Sequence, residues 1–115
     1  MFNEMIAAGG GGGGSFINPI WENPYPATSY DGPKTESIDL SNCDKVLIIQ
    51  DYSAGAGQCV YAYCDVGSSV TITSGGRFSR TYTVTASDVS ITRQSSTAHG
   101  EAYAIPMIIV GLKTV

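Results

Sequence analysis

Charge is scarce in this sequence. Charged side chains make up 14% of its 115 residues, and the net charge is -4. The six basic residues, Lys34, Lys45, Arg77, Arg80, Arg93 and Lys113, are scattered. Only Arg77 and Arg80 are near each other, so nothing resembles a basic stripe that could follow a phosphate backbone, and no nucleic-acid partner is expected. Long hydrophobic runs are missing as well. No stretch approaches 18 apolar residues, the length of a membrane-spanning helix, so no membrane partner is expected. The start, "MFNEMIAA", carries no positive charge ahead of its short apolar part, and Glu4 is acidic. It does not read as a secretory leader, so synthesis and retention in a cytoplasm are expected until something else releases the chain.

Histidine and cysteine are nearly absent. The single histidine, His99, sits in "SSTAHGEAY", a loop-like stretch, and no Gly-x-Ser-x-Gly elbow accompanies it. The three cysteines, Cys43, Cys59 and Cys64, are an odd number, which does not fit a disulfide framework, and the one close pair, Cys59-x₄-Cys64, lies in a strand-like stretch and does not fit a zinc site. Cys59 and Cys64 would point to opposite faces of one strand. All three are expected to be reduced and at least partly buried. Asp31, Asp39, Asp44, Asp51 and Asp65 lack the dense alternation of a calcium loop. The glycine run has no Lys-Ser/Thr after it, so it is not a phosphate-binding loop. The expectation is of no cofactor, no metal, and no catalytic residue.

Glycine, proline and aromatics are abundant, and they divide the chain in two. Residues 1–35 form an arm. It opens with Phe2, Met5 and Ile6, spaced as one face of a helical turn. Six glycines follow, Gly9, Gly10, Gly11, Gly12, Gly13 and Gly14, and then "SFINPIWENPYPATSYDGPK". That strap holds four of the five prolines and the lone Trp. Proline imposes extended or turn conformations, and the rings of Phe16, Trp21, Tyr25 and Tyr30 are costly to leave in water. A run of glycine can thread a crowded groove between subunits, so Phe2, Met5, Ile6, the six glycines, Phe16 and Trp21 are candidate assembly anchors. The alternative is an arm folded back over a sheet edge of its own domain.

Residues 36–115 read as one β domain. "ESIDLSN", "GSSVTITSGG" and "RTYTVTASDVSITRQSS" alternate apolar with polar residues, and "KVLIIQDY" is a solid apolar run, as in a strand covered on both faces. Thr and Ser fill the expected outer positions. These short segments, split by Gly, Ser and Asp turns, predict an all-β fold, an antiparallel β-sandwich of jelly-roll or immunoglobulin-like type. Val46, Leu47, Ile48, Ile49, Val60, Val70, Ile72, Val84, Ile91, Ile105, Ile108 and Val110 are the expected core, and residues 53–57, 75–77 and 95–100 the exposed loops. Residues 36–115 are expected to fold on their own. Tyr52, Tyr61, Tyr63, Tyr82 and Tyr103 are a candidate binding face, since tyrosines on a sheet can stack on sugars or on a partner protein.

The start "MFNEMIAAGGGGGG", the aromatic and proline-rich strap, and the Thr/Ser-rich strands ending in "MIIVGLK" together resemble the small glycine-rich virion structural proteins of tailed bacteriophages and prophages. The resemblance is one of layout and carries no functional residues over. It implies a non-enzymatic accessory protein of the particle, as capsid decoration, head fibre or tail component, made in the bacterial host cytoplasm and anchored by its N-terminal arm. Its implied partners are other virion proteins and copies of itself. A carbohydrate- or receptor-binding adhesin module of a phage tail, with a host-surface glycan as ligand, is the alternative.

Overall fold

The computed structural model describes residues 16–25, 29–53, 55–96 and 100–114. The expected anchors Phe2, Met5, Ile6 and Gly9 to Gly14 lie outside the described residues, as does His99.

Among the described residues there are eight strands: β1 (Ile20–Glu22), β2 (Lys34–Ser37), β3 (Lys45–Ser53), β4 (Cys59–Asp65), β5 (Ser69–Ser74), β6 (Phe78–Val84), β7 (Asp88–Ile91) and β8 (Tyr103–Leu112). They build two four-stranded antiparallel sheets, ordered β1-β8-β3-β4 and β2-β7-β6-β5, that pack as a β-sandwich. The first and last strands nest, β1 against β8 and β2 against β7, while β3–β4 and β5–β6 are hairpins. The β5–β6 turn uses Gly75 and Gly76 at φ 61° and 66°, a region that side chains with a Cβ avoid. Pro106 has no N–H to give the ladder, and the β3–β8 register slips beside it, between Ile49 and Gln50, as a bulge.

The pairing registers give the sandwich a base and a tip. The chain enters β1 at the base through residues 16–19, and residues 38–44, 66–68, 85–87 and 113–114 lie at that end. Residues 23–25, 29–33, 55–58, 75–77, 92–96 and 100–102 lie at the tip. At the base Gly111 allows a close approach. A Cβ there would lie 2.6 Å from Pro19 and 2.7 Å from the Cys43 sulfur, and Gly111 exchanges backbone and Asn18 side-chain hydrogen bonds with the incoming chain.

Alternation along each strand fills the core between the sheets with Val46, Ile48, Ile72, Tyr82, Val84, Ile91, Ile105 and Ile109. The expected core is corrected in one respect. Leu47, Ile49, Ile108 and Val110 have the opposite parity and lie on the outer face of the first sheet. Val60 and Val70 are half-buried against the core.

The strap also differs from a free arm. Its residues 20–22 are the edge strand β1, and Lys34 and Thr35 already belong to β2. Trp21 and Tyr30 are buried in the chain's own core, edge to face at 6.5 Å. Tyr30 donates to the Glu36 carboxylate at 2.6 Å, Tyr25 donates to it at 3.1 Å, and the Lys34 ammonium sits 3.6 Å from the centre of the Tyr25 ring. The sandwich thus starts well before residue 36, because the rings find their cover within the same chain.

All three cysteines are free, but their exposure differs: Cys64 is buried, Cys43 is half-buried and Cys59 is exposed. The expected partial burial of Cys59 is corrected, since it sits at the outward-facing start of the edge strand β4. Partial desolvation raises all three thiol pKa values, and nearby carboxylates add to this. A disulfide-forming reagent at mildly alkaline pH is expected to titrate one thiol promptly in the folded protein and all three after denaturation. Three prompt equivalents would contradict the packing of Cys43 and Cys64.

Candidate functional site

The two outer faces of the sandwich are chemically unlike. On the second sheet the outward positions are hydroxyls. Ser69 and Thr83 are 3.0 Å apart, Thr71 and Thr81 2.8 Å, Thr73 and Ser79 2.7 Å, and Thr35 and Ser90 3.0 Å. One row, Ser69–Thr83–Ser90–Thr35, crosses all four strands. Cross-strand hydroxyl pairs keep a sheet face soluble without charge. A shallow depression of about 320 Å³ opens on this face, lined by Pro33, Lys34, Thr35, Thr83, Ser90 and Thr92 among others.

The outer face of the first sheet is apolar. Leu47, Val110 and Leu112 form a second buried cluster, with Ile49 and Ile108 half-buried against it. One row reads Ile20–Val110–Leu47–Tyr63 and the next Glu22–Ile108–Ile49–Tyr61. Ile20, Tyr61 and Tyr63 are 53%, 67% and 51% exposed, and Ile17, ahead of β1 near Pro19 and Asn42, is 76% exposed. An antiparallel sheet with one solvated face ordinarily alternates apolar inside and polar outside, as the second sheet does. The outer face of the first sheet is apolar along these two rows, but Leu47, Val110 and Leu112 at its centre are already buried within the chain, and what it exposes is Ile20 at one edge and Tyr61 and Tyr63 at the other.

The tip is organised by buried polar side chains. Arg80 points inward from β6, its side chain fully buried. Its Nε donates to the Ala104 carbonyl at 2.5 Å. Nη1 donates to the Thr92 carbonyl and to Glu101 Oε1, both at 3.0 Å, and Nη2 to the carbonyls of Tyr30 at 3.0 Å and Tyr103 at 3.1 Å. One guanidinium thereby fastens the strap, the β7–β8 connection and the start of β8 together. Ala104 takes φ 53°, a sparsely populated conformation for a residue with a Cβ, and its carbonyl is held by Arg80. Burial pulls the Arg80 pKa down, and Glu101 pulls it back up. Gln50, also inward, accepts from the Tyr82 hydroxyl at 2.7 Å and donates to Ser74 at 2.8 Å. Burial pushes the Tyr82 phenol well above its ordinary pKa. Asp51 accepts from the backbone N–H groups of Tyr52, Gly57 and Gln58 and so shapes the β3–β4 connection. Each of these groups spends its hydrogen bonds on the chain itself.

The five tyrosines of the expected binding face are not brought together. Tyr82 is in the core. Tyr52 packs edge-on against Phe78 and Tyr103 at the tip, where Phe78 and Tyr103 stack with ring centres 4.3 Å apart. Tyr61 and Tyr63 alone share a face, edge to face at 6.1 Å on β4. Of the expected anchors that are described, Phe16 is half-buried at the base, and Trp21 is in the core. Sequence reading passed over Arg80 and Gln50, although both sit at inward parity, with Tyr82 and Val84 in "FSRTYTV" and with Val46 and Ile48 in "KVLIIQDY". Among the described residues no group of three or more His, Cys, Asp or Glu gathers in metal-binding range.

Comparison with family models, with curated proteins and with solved structures finds no match.

Proposed function

We propose that the chain is a non-enzymatic structural protein of a bacteriophage particle, a capsid decoration, head fibre or tail component. It docks through the outer face of its first sheet, and the segment preceding Phe16 tethers it. The observation that carries this reading is the exposed apolar edges of the first sheet, Ile20 on β1 and Tyr61 and Tyr63 on β4, on either side of the buried Leu47, Val110 and Leu112. The base-to-tip polarity supports it: a module held where the chain enters at Phe16 presents its connecting loops at the far end. Its partners are then other virion proteins, and its place is the particle, after synthesis in the host cytoplasm.

Ile20→Glu and Ile108→Glu together test the docking face away from the Tyr61 edge. They put two charges where the reading places a dry contact, at positions where one side chain is exposed and the other half-buried. The copy number in purified particles, read by quantitative mass spectrometry, is expected to fall at least about tenfold, the loss of about 1.4 kcal/mol of contact. Ile20→Glu alone, at the exposed position, should leave the thermal midpoint of the free protein in place and still lower incorporation, whereas Ile108→Glu, half-buried and directly opposite Glu22, should also lower the midpoint. Undiminished incorporation would overturn the reading.

A second reading, glycan binding by a tail adhesin, draws on the hydroxyl-lined depression around Thr83, Ser90 and Lys34. A glycan array with no hit would remove it.

A further inference from the structure

We propose that the β4/β5 side of the sandwich is an interface through which two copies of this chain join both of their sheets edge to edge. Each sheet has two edge strands, β1 and β4 in one and β2 and β5 in the other. The β1/β2 side is blunted. β1 has three residues and lies between Pro19 and Pro24, while β2 has four, follows Pro33 and carries Lys34 and Glu36. Short length, proline and charge are the usual protections of an exposed edge. The β4/β5 side has none of them. β4 is "CVYAYCD" and β5 is "SVTITS", seven and six residues, without proline, glycine, lysine or arginine, and neither register is broken by a bulge. The only charge is Asp65, at one end.

The two open edges identify the occupant. They are consecutive in sequence, joined by residues 66–68, and lie one in each layer on the same side. An extended peptide could pair with one of them. Covering both takes a partner with two stacked strand edges at the sandwich spacing, and this chain has such a pair. A two-fold axis along the sheet normal makes both junctions antiparallel at once. Parity is self-complementary about Ala62, where Tyr61 meets the partner's Tyr63 on the outer face and Val60 meets the partner's Cys64 on the inner one. It is equally so about Thr71, where Val70 meets the partner's Ile72 inside and Ser69 meets the partner's Thr73 outside. Ala62 is three residues from the lower end of β4 and Thr71 two from the lower end of β5, about 10 Å and 7 Å along their strands, so one axis serves both centres. The half-exposed pair Tyr61 and Tyr63 becomes the middle of a four-ring row. This interface shares Tyr61 and Tyr63 with the face used in the particle reading, but it is read from the isolated chain in solution and so stands or falls without that reading.

Sedimentation equilibrium of the full chain over a concentration series tests it, with amide hydrogen exchange at the low and high ends. The mass should approach twice the 12.0 kDa of one chain, and the amides that slow with concentration should be those of β4 and β5. Tyr61→Lys and Thr71→Lys, made separately, place like charges near their symmetry mates in one layer each. Both side chains are exposed, so the thermal midpoint of the monomer should hold. Each should weaken dimerisation at least about tenfold. A protein that stays at 12.0 kDa throughout, a dimer indifferent to both substitutions, or protection falling on other strands would each overturn the proposal.

Discussion

A chain that begins at Thr35 is expected to lose cooperative folding. The composition of residues 36–115 suggests a self-sufficient domain, and the position of the strap reverses that expectation. Removing residues 1–34 takes away β1 and with it the cover on the outer edge of β8. It empties the core of Trp21 and Tyr30, both buried. Truncation of one buried aromatic costs about 3–5 kcal/mol, and a domain of this size is stable by only about 5–15 kcal/mol. The loss also strands polar groups: Glu36 is left without both tyrosine hydroxyls, and Arg80 without the Tyr30 carbonyl. Circular dichroism should show no sigmoidal thermal transition, and the product should bind a hydrophobic dye. A transition within about 5 °C of the full chain would mean that the strap is an accessory. Trp21→Ala in the full chain provides the graded version, a fall of about 3–5 kcal/mol in denaturant unfolding.

Arg80→Met is expected to be nearly as damaging. The change keeps much of the apolar stem and removes all the donors. The carbonyls of Tyr30, Thr92, Tyr103 and Ala104 and the carboxylate of Glu101 then lose a partner in a buried or half-buried setting. Breaking a buried ion pair from one side costs about 3–5 kcal/mol, mostly through the group left behind. For a domain of this size that lowers the thermal midpoint by roughly 15–25 °C. Arg80→Lys should recover only part of it, since an ammonium cannot spread donors over four carbonyls and a carboxylate. A double substitution, Arg80→Met with Glu101→Gln, should be less harmful than the sum of the two, because the second change removes a carboxylate that has lost its buried partner and keeps only the exposed Arg93 and the Gly32 N–H. Additive losses would contradict the coupling of Arg80 to Glu101 across the tip.

Much of the sandwich is legible in the sequence because period-two alternation needs only residue polarity. "VTITS", "FSRTYTV" and "KVLIIQDY" each announce a strand, and the last, apolar at every step from Val46 to Ile49, announces one covered on both faces. That reading anticipates the apolar outer layer. It does not say which residues face which way, so Leu47 and Ile49 were assigned inward, where only Val46 and Ile48 belong. β1 is invisible for a different reason. Three residues between two prolines carry no periodicity, and only pairing with β8 makes them a strand. The roles of Arg80 and Gln50 were hidden because polarity alone predicts an exposed side chain. Burial becomes favourable only when the fold brings several carbonyls, or a Tyr82 hydroxyl, within reach. The tyrosines scattered for a similar reason: on a sheet they fill core, tip and edge equally well.

The proposed structural role in a particle can be tested at the particle itself. Particles released from cells that encode this chain, labelled with an antibody against the tip connection at residues 92–96 and imaged in negative stain, should carry label at one repeated position on the head or tail. Label at that position would match a protein held by its base and its first sheet with the tip facing outward. Unlabelled particles, with the chain recovered wholly in the soluble fraction, would contradict it.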